Sequence, residues 1–104
     1  MPETELFRVL ADPTRRAVFE QLCRGELSVS QLKAGFTVSQ PAISQHLGAL
    51  KEAGLVRARR AGRHLYYRSD PQALDPLAQW VQRYRELWPA RLEKLKRVLK
   101  DIDS

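Results

Sequence analysis

The chain has 104 residues and a mass of 12.0 kDa, with 43% hydrophobic residues, which sets it as one domain whose modest buried fraction a second copy would enlarge. A formal net charge of +6 and a pI near 10.0 favour a polyanionic partner and leave DNA, RNA and an acidic membrane surface open. A single cysteine, Cys23, excludes an internal disulfide, and no apolar run suits a signal segment or a membrane span, so a cytoplasmic chain with no membrane partner is expected.

Leu6, Phe7 and Leu10 form a short apolar stripe on a helix from Glu3 to Ala11, too short to be stable without a partner surface. Asp12 caps and Pro13 opens a second helix that runs to Cys23, with Ala17, Val18, Leu22 and Phe19 inward and Gly25 after it. Cys23 is expected as a small buried hydrophobe. Thr14, Arg15 and Arg16 stand in the first turn, where cations oppose the helix dipole. Phosphates or acidic neighbours would hold them there, and a solvated face is the simpler reading.

Ser28-Val29-Ser30-Gln31 fits a capping box and leads into a short helix carrying Val29, Leu32 and Phe36. Thr37-Val38 connects it to a helix that starts near Gln40, with Ser39 as N-cap and Pro41 in the first turn, where the missing N–H has no helical acceptor to lose. Ile43, Leu47 and Leu50 share one face of that helix, while Gln40, Ser44, Gln45 and Lys51 lie off it and offer hydrogen bonds. Gly54 supplies the left-handed stop, and Leu55-Val56 begins an extended segment. Two helices so closely joined make a helix-turn-helix over about 28–53; an ordinary helical hairpin has the same pattern, and the arginine-rich segment beyond Val56 decides between them.

Residues 57–68 contain Arg57, Arg59, Arg60, Arg63 and Arg68 and no acidic residue. Ala61-Gly62 reads as a turn between two extended runs, with Val56, Ala58, Leu65 and Tyr67 inward. The result is a β-hairpin over about 55–69 with a cationic tip, which must lie against the helices to be stable, as a wing does. Phosphate or minor-groove contact explains this charge bias better than solubility.

Asp70-Pro71 and Asp75-Pro76 are successive helix-start signals for a periodic run over about 71–102. Leu77, Trp80, Val81, Tyr84, Leu87 and Trp88 give a broad apolar face, and Trp88, Leu92, Leu95, Leu99 and Ile102 then alternate steps of four and three. Pro89 should kink or interrupt the helix. A stripe this long exceeds what so small a domain can cover. The expected interface of a homodimer therefore consists of Leu6, Phe7, Leu10, Leu77, Trp80, Val81, Tyr84, Trp88, Leu92, Leu95 and Leu99. Folding back on its own core is the alternative and predicts a monomer.

Three stretches together resemble the ArsR/SmtB-type winged-helix transcriptional regulators: Leu10 to Arg16, Ser39 to Leu47, and Glu52 to Val56 with Gly62-Arg63. The resemblance spans essentially the whole chain. It implies a mainly α fold with a small β-hairpin, a winged helix-turn-helix with a long terminal dimerisation helix, in a single domain over 1–104. It also implies a homodimeric repressor, built on its first and last helices, that leaves a palindromic operator when an effector binds.

Metal-sensing members carry a cysteine pair where this chain has Ser28 and Ser30. Hydroxyls are poor substitutes for thiolates, no histidine follows His64, and Cys23, His46 and His64 lie on three different elements, so no sensory metal and no cofactor is expected. The chain thus looks closer to the metal-independent branch. No nucleophile and base set or phosphate loop suggests catalysis. For double-stranded DNA, Gln40, Ser44 and Gln45 are the base-edge candidates, Ser39, His46 and Lys51 hold the backbone, and Arg59, Arg60 and Arg63 make wing contacts. Glutamine pairs bidentately with adenine, which suggests an A·T-containing half-site, and His46 also has a plain reading as a packing residue. A small apolar effector could sit near Trp80, Tyr84 and Trp88, where interface core is the simpler reading. The competing functions are a protein-binding winged helix and a non-specific nucleic-acid binder.

Overall fold

In the computed structural model, which describes residues 2–103 without the side chains of Pro2, Trp88 and Asp103, the short first helix α1 (Pro2–Leu10) is held at its end by two arginines of α2 (Pro13–Arg24). Arg15 donates to the Val9 carbonyl at 3.3 Å and Arg16 to the Leu10 carbonyl at 3.0 Å. These cations oppose the dipole at the start of α2 but sit at the negative end of α1, where charge and carbonyl acceptors both favour them. Leu6 and Val9 are buried, Leu10 is half-buried and Phe7 is exposed. Leu6, expected in a subunit interface, thus belongs to the core of its own unit, because it shares with Val9 the face that packs on α2.

Asp12 caps α2 by accepting from the Arg15 N–H at 2.9 Å, and chiefly for that reason its carboxyl titrates below the ordinary 3.8. Val18, Phe19 and Leu22 are buried. Cys23 is exposed, not buried as expected, since it falls about a quarter-turn from the middle of that apolar arc and close to the helix end.

After α2 a two-residue strand β1 (Leu27–Ser28), absent from the sequence reading, leads directly into α3 (Val29–Ala34). Ser28 closes the expected capping box: its Oγ accepts from Gln31 N at 3.2 Å and its own N–H donates to Gln31 Oε1 at 2.8 Å. Helix α4 (Gln40–Glu52) starts with Ser39 Oγ accepting from Ala42 N at 3.3 Å. It ends as a Schellman turn, with Gly54 at φ 79 and the Leu55 and Gly54 N–H groups donating to the Leu50 and Lys51 carbonyls at 2.9 and 3.0 Å. Leu50 and Leu55, the apolar pair of that motif, are both fully buried.

Strands β2 (Val56–Ala61) and β3 (His64–Ser69) form the hairpin, and β1 adds to its other side, giving an antiparallel sheet in the order β1-β3-β2. Ala61 pairs with His64, so the turn residues are Gly62 and Arg63 instead of Ala61 and Gly62. Of these two only Gly62 has a positive φ, 62°, the type II′ pattern whose twist suits a hairpin. Ile43, Leu47, Leu50, Val18, Leu22, Leu32 and Leu55 form the innermost core of the first unit, Met1–Leu74.

The second unit, Asp75–Ser104, contains α5 (Asp75–Arg85) and α6 (Trp88–Asp103). Its first helix begins four residues later than the expected position 71, because the Asp70 carboxylate accepts from Gln72 N at 3.0 Å and its carbonyl from Ala73 N at 3.0 Å, turning the chain first. The interruption expected at Pro89 divides the terminal run into two helices, but the break falls just before it, at Glu86-Leu87, which puts Pro89 in the first turn of α6 where its missing donor costs nothing. The Trp80 and Tyr84 rings meet at a tilt of 44° with centroids 4.7 Å apart. Leu77 and Trp80 are half-buried, whereas Val81, Tyr84, Leu92, Leu95 and Leu99 are exposed. The side chain of Trp88, expected in the same seam, lies outside the described residues.

Gly48, inside α4, and Gly54, just past its end, should respond oppositely to alanine. Gly54→Ala places a side chain in a left-handed conformation and should cost about 1 kcal/mol, lowering Tm by about 4–8 °C for a chain of this size. Gly48→Ala adds a Cβ with nothing within 4 Å in a helix interior and should stabilise by about 0.5–1 kcal/mol; melting curves followed by circular dichroism give both signs. For Asp12, the folded carboxyl titrates below its unfolded value, so its contribution is present above pH 3.8 and is lost as pH falls through the folded pKa. The stability gap between the wild type and Asp12→Ala, measured by denaturant titration, should therefore be constant near neutrality and narrow below about pH 4.

Candidate nucleic-acid interface

Helix α4 has its inner residues Ile43, Leu47 and Leu50 at zero exposure, and it packs on α2, α3 and β2. Off that face lie Gln40, Ser44, Gln45 and Lys51, all exposed. A helix fixed along one side and polar along the other can enter a groove without rearranging. Ser39 is exposed at the N-terminus with its hydroxyl already used as the cap. His46, placed on the phosphate backbone in the sequence reading, is half-buried, and its Nδ1 is buried with no hydrogen-bond partner among the described residues. Of its two sequence readings, this geometry fits the packing residue.

The structure brings the N-terminus of α4 to the tip of the hairpin. Gln40 and Arg63 line one cleft of about 210 Å³ with Ser28, Val29, Ser30, His64 and Leu65. Sequence reasoning missed Ser30 and His64 as parts of this surface. His64 had one usable signal, its place beside the Gly62-Arg63 turn; Ser30 had none, because only the three-dimensional approach of α3 to the wing puts it there.

The five arginines of residues 57–68 are not equivalent. Arg57 Nε donates to Asp70 Oδ2 at 3.0 Å. Arg59 Nε donates to both carboxylate oxygens of Glu26, at 2.9 Å each, and the guanidinium stands 5.0 Å from the centroid of the Tyr66 ring. Arg60, Arg63 and Arg68 have no ion pair among the described residues and are exposed. The stretch itself lacks acids, but the fold supplies two from outside it. Glu26 is held below its ordinary 4.5 first by the Arg59 hydrogen bond, and Asp70 below 3.8 first by the Gln72 N–H and then by Arg57. Arg59, expected at the DNA, has its fork occupied inside the protein.

Ser28 and Ser30 offer no metal donor set: the first is buried with its hydroxyl engaged in the cap, and the second is an exposed neutral hydroxyl. Among the described residues no three His, Cys, Asp or Glu side chains gather, and no helix is long and apolar enough to cross a membrane. On the second unit, Trp80, Val81, Tyr84, Arg85, Pro89, Arg91 and Leu92 line an open groove of about 680 Å³.

Residues 12–58, from the cap of α2 through the recognition helix into β2, match the bacterial regulatory protein arsR family. The chain is similar to the HTH-type transcriptional regulator Rv2034 of Mycobacterium tuberculosis, 45% identical over 78 residues that cover 75% of this chain and 73% of that protein. It is similar to the arsenical resistance operon repressor of Escherichia coli, 34% identical over 99 residues, 94% of this chain and 82% of the repressor. Among solved structures it resembles the ArsR-like transcriptional regulator from Rhodococcus sp. RHA1, with a TM-score of 0.75 and 33% identity over 93% of this chain and 92% of that one. A winged helix with one polar helix face turned outward, shared with regulators over nearly its full length, makes this chain a DNA-binding regulatory protein of the ArsR family.

Proposed function

We propose that the protein is a homodimeric repressor that sets its two α4 helices in successive major grooves, about 34 Å apart, on a roughly palindromic operator. The observation that carries this reading is the division of α4 into a face at zero exposure, Ile43, Leu47 and Leu50, and an exposed polar face, Gln40, Ser44, Gln45 and Lys51. Gln45, Gln40 and Ser44 read base edges, with adenine favoured opposite glutamine. Ser39 and Lys51 hold the backbone. Arg60 and Arg63, free of carboxylates among the described residues, make the wing contacts. Bound at a promoter in the cytoplasm, the dimer represses by excluding polymerase.

Association of two copies is supported by the apolar residues that α5, α6 and the break between them leave in water: Val81, Tyr84, Leu87, Leu92, Leu95, Val98, Leu99 and Ile102 are each at least 43% exposed, and Ile102 is 73% exposed. Monomeric proteins seldom tolerate so continuous an apolar surface. On the first unit, α1 leaves Phe7 44% exposed and Leu10 half-buried. A chain that belongs to the metal-independent branch of the family responds to an effector other than a thiophilic ion at Ser28 and Ser30.

Sedimentation equilibrium should give about twice the chain mass of 12.0 kDa, and Leu95→Glu with Leu99→Glu should reduce it to the monomer; a wild-type monomer overturns the dimer. With an operator recovered by selecting bound genomic fragments, Gln45→Ala should lose discrimination between operator and random duplex. Arg63→Ala should weaken both and reduce the salt slope by about 2, one lost phosphate contact in each subunit. An unchanged specificity ratio for Gln45→Ala removes that residue from base reading.

A further inference from the structure

Arg59 and Glu26 are 33 positions apart in sequence, yet the guanidinium Nε donates to both carboxylate oxygens at 2.9 Å. Tyr66, the partner of Arg59 across the β2–β3 ladder, lies under the cation at 5.0 Å, and on its other side Tyr66 pairs with Ser28 of β1, two residues after Glu26. The cation is thus fixed by the carboxylate and by the ring, and the contact ties the connection between α2 and α3 to the wing. A planar pair of anionic oxygens is what a guanidinium meets on a phosphodiester, so a carboxylate seated on the fork is a direct competitor of DNA. Arg60, the next residue, and Arg63 at the turn have no such partner among the described residues.

We propose that Glu26 is an internal stand-in for phosphate: it occupies Arg59, withholds that arginine from the DNA backbone, and so fixes how many wing cations a duplex can engage. Arg59 is then a positioning residue for the wing, and Glu26 a determinant of affinity that never touches DNA. The carboxylate bonds, to which Arg59 Nη2 adds one on Glu26 Oε1, keep Arg59 matched within the protein, so a duplex gains nothing by displacing Glu26 unless it offers a better-placed phosphate. The proposal rests on the assignment of Arg60 and Arg63 to wing contacts with DNA.

The test is the salt dependence of binding by the full chain to a random-sequence duplex of about three helical turns. Melting curves of each variant verify the fold. Arg59→Ala should leave the slope of log K against log salt at the wild-type value. Glu26→Gln should steepen it by about 1.8, one added phosphate contact from each subunit of the dimer, with tighter binding at low salt that diminishes about twelvefold between roughly 50 and 200 mM. The double variant Glu26→Gln with Arg59→Ala should return to the slope of Arg59→Ala, since the gain passes through the freed arginine. A flattened slope for Arg59→Ala, an unchanged slope for Glu26→Gln, or a gain that persists without Arg59 each overturns the proposal. An unchanged slope for Arg63→Ala overturns the wing reading instead, while the Glu26 variants still decide whether Arg59 is masked.

Discussion

Ile43, Leu47 and Leu50 are withdrawn wholly from water, and on that burial depends where the recognition helix points. Removing three such side chains from water is worth about 5–9 kcal/mol as an upper estimate, comparable with the whole stability of a small domain. The ion pairs of the wing are solvent-exposed and screened by salt, so they contribute far less. Apolar packing therefore decides the axis and rotation of α4, and the polar groups only decorate the side that remains. Because rotation is fixed, Gln40, Ser44 and Gln45 cannot turn inward without drawing leucines into solvent. A helix pinned this way is ordered before any contact and needs no folding to meet a partner.

The same burial extends through the exit turn to the wing. Leu50 and Leu55 are joined by the hydrogen bond that closes the Schellman turn at Gly54, and Val56, the first residue of β2, is buried beside them. The hairpin therefore leaves the recognition helix at a set angle. At its other end the Asp70 N–H donates to the Leu55 carbonyl at 3.0 Å, so both strands return to the same point. Helix and wing tip then share the cleft that contains Gln40 and Arg63, and a phosphate backbone near one is near the other.

Features encoded within a few residues were legible in the sequence. The caps at Asp12, Ser28 and Ser39 and the stop at Gly54 each need only local hydrogen-bonding groups or one permissive backbone position. The inner face of α4 was equally plain from spacing alone. What the sequence hid depends on distant partners. Arg15 and Arg16 looked misplaced until the carbonyl end of α1 was beside them. Arg59 looked as available as Arg60 and Arg63 until Glu26 arrived from outside the stretch. The strand at Leu27-Ser28 is two residues long and exists only because β3 offers it an edge. Leu6 and Phe7 are adjacent, so the helix sends them to different faces, and which one meets the core is fixed by the docking of α1 on α2.

The central claim is that two pinned α4 helices read one site as a symmetric pair. Hydroxyl-radical footprinting of the wild-type protein on a selected genomic fragment tests it most directly. The account predicts protected patches related by a dyad, with half-sites about 10 base pairs apart, one helical turn; a single unsymmetrical patch would contradict it.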